Sequence, residues 1–213
     1  MVTSKVFQKS NQKKLIVILL MKNKSITFAF MKLYMIMIGC RPKGRFTEQH
    51  DIFFGIGNSL SELVPQMKAF WPEAKGKIHI DAWREVTSVD NHKIEIVSKI
   101  DAVANASQLF FINLGGYKEN EFEEYHYKIL AAGTSLAEAT KKAKATSFYK
   151  HYGFKGATSH IDDKFGIDVD DVFNVADILA TELKEKFALK ISENNMNIED
   201  ELHIGYLKLE KIV

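Results

Sequence analysis

Hydrophobic and polar positions along the chain form one pattern that occurs twice. Each copy begins with a short apolar run, 33–38 in the first and 109–114 in the second, and each run ends at a glycine. Because these runs are apolar on both faces, they predict central strands of a sheet. A polar loop and a second strand follow, near 48–55 and 124–131, so each copy is predicted to open with a hairpin.

A helix is predicted after each hairpin. Ser59 and Ser135 each stand three residues before a glutamate, which is the capping-box arrangement that stabilises a first helical turn. Apolar residues then recur at helical spacing, more weakly in the second copy. Further strands are predicted after the helices, at 92–97 in the first copy and at 202–212, where they would close the second sheet.

This order of elements predicts the α+β class, with a helix packed across a mixed sheet. A β-grasp or ubiquitin-like roll fits best, and a ferredoxin-like arrangement is the alternative. Between 33–68 and 109–144, 11 of 36 positions are identical, where chance gives about two. We therefore predict two tandem copies, one at 31–100 and one at 105–213 with a C-terminal elaboration, joined through a tight interface.

Residues 1–30 fall outside both copies and are predicted to be a non-structural leader or to precede a mis-assigned start. They contain six lysines and no acidic residue, so the net charge of +2 conceals a balance of −4 in the rest of the chain. No basic face is clustered there, which argues against a nucleic-acid partner. The single cysteine, Cys40, excludes an internal disulfide and favours a reducing, cytoplasmic location.

A lipoprotein signal ending at Cys40 is the alternative location signal. A basic segment at Met21 and an apolar run before Cys40 fit such a signal. However, Lys32 interrupts the run, and the same segment recurs deep in the chain at 109–116. The segment is therefore better interpreted as a strand, and no membrane association is predicted.

Two long motifs carry a family resemblance. They are Gly-Cys-Arg-Pro-Lys-Gly-Arg-Phe-Thr-Glu-Gln-His-Asp-Ile-Phe-Phe-Gly-Ile-Gly at 39–57 and Trp-Pro-Glu-Ala-Lys-Gly-Lys-Ile-His-Ile-Asp-Ala-Trp at 71–83. The chain from 31 to 213 resembles a bacterial family known as domain of unknown function 1543. The resemblance implies a roll-type α+β domain that members often carry twice. It implies no activity, because the family has no assigned function.

Repeated polar pairs are the first candidates for chemistry. The pairs are Glu48 with His50, Glu124 with His126, His79 with Asp81, and His160 with Asp162. Residues i and i+2 of a strand face the same side, so each pair joins a carboxylate to an imidazole. Such a pair is either half of a metal site, with Glu48, His50, Glu124 and His126 as candidates, or an acid–base pair. The alternative is a hydrogen-bonded framework that both copies share.

The loop at 41–51, here called the basic loop, is not duplicated. Its candidate ligand-binding residues are Arg41, Lys43, Arg45, Thr47 and Gln49. Guanidinium groups beside a glycine and a threonine suit a carboxylate or a phosphate. The corresponding loop of the second copy is acidic, so a salt-bridged interaction surface is the alternative.

Together these features predict a binding or interaction module whose basic loop holds an anionic ligand, and not an enzyme. The rival prediction is a small-molecule enzyme in which His50 is the general base and Glu48 orients it, or in which the pair binds metal. No catalytic residue and no cofactor is assigned. The expected partners are a small anionic ligand or a second copy bound through the repeat interface.

Overall fold

The computed structural model describes residues 31–117, 120–145, 167–194 and 198–212. The predicted leader at 1–30 and the His160–Asp162 pair lie outside these residues. Within them, no helix is long and apolar enough to cross a lipid bilayer.

Antiparallel sheets and short helices make up the described residues, which confirms the α+β class. The strands are β1 (Lys32–Cys40), β2 (Gln49–Gly57), β3 (His79–Glu85), β4 (Ser88–Val89), β5 (His92–Ser98), β6 (Gln108–Tyr117), β7 (Glu124–Gly133), β8 (Ile167–Asn174), β9 (Phe187–Glu193) and β10 (His203–Lys208). The helices are α1 (Leu60–Phe70), α2 (Leu136–Lys144), α3 (Val175–Ile178) and α4 (Thr181–Lys186).

The same strand order occurs in both halves of the chain. Strand β1 lies between β2 and β3, and β6 lies between β7 and β8. Among the described residues, a helix, α1 or α2, follows the second strand and precedes the third. We refer to β1, β2, α1 and β3 as the first unit and to β6, β7, α2 and β8 as the second.

All pairings within these two sheets are antiparallel. The prediction of a mixed sheet, as in a β-grasp unit, is therefore wrong, because both neighbours of the central strand run antiparallel to it. The ferredoxin-like alternative has the order βαββαβ, whereas each unit here begins with a hairpin. The hairpin joins strands that are close in sequence, so it can be predicted from the local pattern. The direction of the third strand depends instead on how the chain crosses the sheet through the helix.

Alternate residues of β1 face two different cores. Tyr34, Ile36 and Ile38 pack against Leu63 and Met67 of α1. The side chains between them face the second unit, in a core that both units share. This double burial explains why the run is apolar on both faces.

The second unit repeats this arrangement. Ile112 and Leu114 of β6 pack against Ala139 and Ala143 of α2. Phe111 faces the shared core and meets Phe54 of the first unit edge to face, with ring centroids 5.5 Å apart. The layers are thus helix, sheet, sheet and helix.

Strands from the C-terminal part complete the first unit. Strand β9 pairs with β5, and β10 pairs with β3 at the edge of the first sheet, with His203 opposite Trp83. The prediction that 202–212 closes the second sheet is wrong. Neither face of this segment is purely apolar, so its pattern did not specify a partner strand. In the structure, Leu207 and Leu209 pack in the core of the first unit. The division at 31–100 and 105–213 stays a prediction.

The predicted helix caps differ between the units. Ser135 accepts a hydrogen bond from the Glu138 amide at 3.3 Å, as the capping box requires. Ser59 makes no such bond, since its Oγ lies 2.8 Å from Ser61 Oγ. The box predicted at Ser59 is therefore wrong, although α1 still begins directly after it.

A fragment of residues 31–101 should not fold alone. It lacks β9 and β10 and would expose Leu33, Phe54 and Ile56, whose burial is worth about 1.5–3 kcal/mol each. We expect no cooperative urea transition by far-ultraviolet circular dichroism, whereas a 31–212 control should show one. A cooperative transition in the short fragment would contradict the shared core.

Candidate functional site

Three strands converge at Gly39, near the end of β1. Their register places His50 of β2 opposite Gly39 on one side and His79 of β3 opposite it on the other. Directly opposed residues of neighbouring strands share a face of the sheet. The two imidazoles therefore approach each other over a residue that has no side chain.

The space above Gly39 is already filled by polar atoms. A Cβ at this position would lie 2.4 Å from His79 Nε2 and 2.5 Å from Asp81 Oδ2. Real Cβ atoms do not approach other atoms this closely, so only glycine leaves room for these side chains. This close approach, and no unusual backbone angle, is the reason for a glycine here.

Asp81 reaches the site through a β-bulge. The register pairs Ile80 with Ile38 and Ala82 with Met37, which leaves Asp81 as an extra residue in β3. A bulge bends its strand and re-aims the side chain of the extra residue. Glu48 arrives from the loop that precedes β2. We refer to Glu48, His50, His79 and Asp81 as the Gly39 cluster.

The two imidazole Nε2 atoms and the carboxylate oxygens of this cluster lie close together. His79 Nε2 is 3.1 Å from Glu48 Oε1 and 3.3 Å from Asp81 Oδ2. His50 Nε2 is 3.3 Å from Asp81 Oδ2 and 3.6 Å from Glu48 Oε2. His79 Nε2 and Asp81 Oδ2 are nevertheless buried without a hydrogen-bond partner. These two buried atoms therefore do not take part in the hydrogen bonds that a shared structural framework would require.

The Gly39 cluster is covered on one side and open on the other. The His79 side chain is 9% exposed and that of Asp81 is 24% exposed, whereas His50 and Glu48 are 40% and 45% exposed. Tyr206 of β10 packs against the His79 ring, with centroids 4.5 Å apart. The C-terminal strand thus contributes to the burial of His79.

In the described residues of the second unit, the strand pairing at Gly115 brings together different residues from those at Gly39. Gly115 is paired with His126 on one side and with Asp168 on the other. The sequence matches His160 to His79, and His160 lies outside the described residues. The residue paired with Gly115 on this side is Asp168, so this register position carries a different residue from its counterpart in the first unit.

Within the described part of the chain, only the first unit gathers three such donor residues. The donor atoms of Glu48, His50 and His79 all lie within 4.8 Å of one another. In the second unit, His126 Nε2 lies 4.0 Å from Glu124 Oε1. The two predicted Glu–His pairs therefore have different surroundings.

The basic loop presents its cations to solvent beside the cluster. It connects β1 to Glu48, and it turns tightly where the Arg45 amide donates to Pro42 O at 3.2 Å. The charged candidates, Arg41, Lys43 and Arg45, are exposed, as is Thr47, whereas Gln49 is partly buried. None of the three cations forms an ion pair with a described residue, so their charges are available to a ligand.

Cys40 is a buried thiol at the end of β1. It is 1% exposed, and burial, followed by the nearby Glu48 carboxylate, raises its pKa. A raised pKa disfavours the reactive thiolate. Signal cleavage before Cys40 would also remove the rest of β1, the central strand of the first sheet, so the lipoprotein alternative is incompatible with this fold.

Comparisons with known proteins confirm the family resemblance. The family model described as Domain of Unknown Function (DUF1543) matches residues 45–96, which include the basic loop from Arg45 onward and the whole Gly39 cluster. None of the curated proteins compared with the chain is significantly similar to it.

A solved structure shares the fold. The crystal structure of a protein Il1583 from Idiomarina loihiensis is similar, with a TM-score of 0.57 and 22% sequence identity. The similarity covers 85% of this chain and 99% of that one. At this identity the likeness concerns the fold alone.

Sequence reasoning identified the two polar pairs but did not join them. It treated Glu48 with His50 and His79 with Asp81 as separate pairs, and no local signal linked them. The signal that was available is the glycine at the end of each apolar run, since a glycine within a strand often marks a close approach or a bulge.

The variant Gly39→Ala should open the cluster while keeping the fold. The atoms nearest the new Cβ are the tips of the His79 and Asp81 side chains, which can move away. We expect the free energy of unfolding to fall by less than about 2 kcal/mol, while the imidazole NMR signals of His50 and His79 shift.

Gly133→Ala in the second unit is the matched control and should leave both imidazole signals unchanged. Unchanged signals in Gly39→Ala would contradict the crowding described above Gly39.

Proposed function

We propose that the protein is a binding module that holds a divalent transition-metal ion in the Gly39 cluster. The ion and the basic loop then together bind a small anionic ligand. The proposed metal ligands are Glu48, His50, His79 and Asp81. The proposed anion contacts are Arg41, Lys43, Arg45, Thr47 and Gln49.

The spacing of the donor atoms is the observation that carries this proposal. Zinc binds imidazole nitrogen and carboxylate oxygen at about 2.0–2.1 Å, so neighbouring ligands of a tetrahedral ion are about 3.3 Å apart. The four nitrogen–oxygen distances within the cluster range from 3.1 to 3.6 Å. These nitrogen–oxygen separations match those of ligands around one ion, and the donor atoms of Glu48, His50 and His79 all lie within 4.8 Å of one another. His79 Nε2 and Asp81 Oδ2 have no hydrogen-bond partner.

The charges of the cluster support a divalent cation. Two carboxylates balance a charge of +2, and two neutral imidazoles add nitrogen ligands that suit zinc, iron or nickel better than magnesium or calcium. A cation would also give a partner to the buried His79 Nε2 and Asp81 Oδ2, whose burial without one is costly.

The anionic ligand depends on this cation. Two carboxylates alone would repel an anion, but a bound ion would neutralise them. The half-exposed side of the cluster, formed by Glu48 and His50, faces solvent. An anion that approaches from this side could coordinate the metal while guanidinium groups of the basic loop bind its other oxygens.

The acid–base alternative fits the geometry less well. A carboxylate that orients a histidine base binds one ring nitrogen and leaves the other free for the substrate. Here Glu48 and Asp81 each approach Nε2 of both His50 and His79. Convergence of two imidazoles and two carboxylates on one point favours metal ligation over a single oriented base.

Metal binding should depend on His79 and not on His126 of the second unit. After treatment with a chelator, wild-type protein should bind about one equivalent of zinc by isothermal titration calorimetry. His79→Ala should weaken binding at least tenfold, in the range of losses seen when metal-site residues are removed. Binding should also weaken as the pH falls, because the imidazoles must be deprotonated to coordinate.

His126→Ala is the matched control, since it removes the histidine of the second Glu–His pair. Equal zinc affinity in wild type and His79→Ala would overturn the proposed site, as would the absence of stoichiometric binding.

The anion should require both the metal and the loop. We expect zinc-loaded protein to bind oxalate or phosphate, and Arg45→Gln to weaken this binding several-fold without changing zinc affinity. Lys93→Gln, which removes an exposed cation of β5, should have no effect. If the anion binds equally well without zinc, its site is not on the metal; if Arg45→Gln has no effect, Arg45 does not contact it.

A further inference from the structure

A second candidate site lies between the two units, away from the Gly39 cluster. It is a cavity of about 770 Å³ bounded by β1 and β3 of the first unit, β7 of the second, and the chain leading into β10. This volume is in the range of small-molecule sites. None of the four residues of the Gly39 cluster lines it.

The walls of this cavity are largely apolar. Met35, Met37 and Ile52 of the first unit line it opposite Leu130 of the second. Ile204 of β10 also lines it and is itself exposed. Apolar walls of this kind favour the hydrocarbon part of a ligand, since transfer from water is worth about 25 cal/mol for each Å² buried.

Arg84 places a positive charge in this wall without a matching carboxylate. Among the described residues, its guanidinium forms no ion pair, and its one hydrogen bond is a weak contact from Nη2 to Met35 Sδ at 3.8 Å. The nearby Asp200 carboxylate forms no ion pair with it and accepts a hydrogen bond from the Thr87 amide at 3.1 Å. Burial lowers the pKa of Arg84, and the negative charge of Asp200 only partly opposes this shift.

The other charged groups at the cavity do not neutralise this guanidinium. Lys142 lies 3.5 Å from Asp90 Oδ2, so these two charges offset each other. Lys128 adds a second cation to the lining, and Glu199 stands exposed at the edge. His126 and Tyr127 complete the titratable lining.

We infer that this cavity binds a small organic anion with an apolar body, whose carboxylate pairs with Arg84. A guanidinium binds a carboxylate through two parallel hydrogen bonds. Such a ligand would supply the missing charge partner and fill the space beside Met35 and Met37. This site is independent of the proposed metal site, because the two share no residue.

The test compares an anion with its neutral analogue. The probes are 4-phenylbutyrate and 4-phenylbutan-1-ol, which differ in the charged group, and each is titrated into full-length protein by calorimetry. We expect saturable binding of one carboxylate per chain, at least tenfold tighter than the alcohol.

Arg84→Met removes the charge and keeps a long apolar side chain. It should lower carboxylate affinity at least tenfold, to the level of the alcohol, while alcohol affinity stays within threefold. Lys93→Met is the control for loss of a cation elsewhere and should bind like wild type. If Arg84→Met does not fold, Arg84→Lys keeps the charge without the planar fork and should bind the carboxylate several-fold more weakly.

Four outcomes would overturn the inference. The first three are equal affinity for carboxylate and alcohol in wild type, full carboxylate affinity in a folded Arg84 variant, and no saturable binding. Loss of carboxylate binding after chelation would likewise overturn it, because the anion would then reside on the metal. If the protein fails to bind zinc but still binds the carboxylate, only the proposal of a metal site in the Gly39 cluster is contradicted.

Discussion

Burial of β1 and β6 on both faces is the constraint on which the rest of the structure depends. One face of each strand is covered by the helix of its own unit, and the other by the opposite unit. A single ββαβ unit would therefore leave an apolar sheet face in water. Two such units can cover each other, and strands β9 and β10 then extend the association back into the first unit.

This constraint also explains the position of the Gly39 cluster. Side chains on the inner face of β1 fill the shared core until the strand reaches Gly39, where the side chain is absent. Polar groups of His79 and Asp81 from β3 occupy the vacated space at the end of the sandwich. The second unit keeps the glycine at 115 but places Asp168 opposite it instead of a histidine. The same framework thus carries two different sets of polar residues.

Unpartnered polar groups mark both proposed sites. His79 Nε2 and Asp81 Oδ2 are buried without a hydrogen bond, and Arg84 has no carboxylate partner among the described residues. Leaving such groups unsatisfied costs about 1–3 kcal/mol each. A ligand that supplies the missing partner, a cation in the first case and an anion in the second, would recover this energy.

The sequence by itself determined the α+β class, the two hairpins and the identity of all four cluster residues, because these follow from local periodicity and from residue type. Tertiary structure alone decided that the pairs Glu48–His50 and His79–Asp81 meet over Gly39, that β10 joins the first sheet, and that Arg84 lines a cavity. The physical reason is that strand partner, direction and register depend on contacts between distant segments. A shift of one residue reverses every side chain, and no local pattern records it.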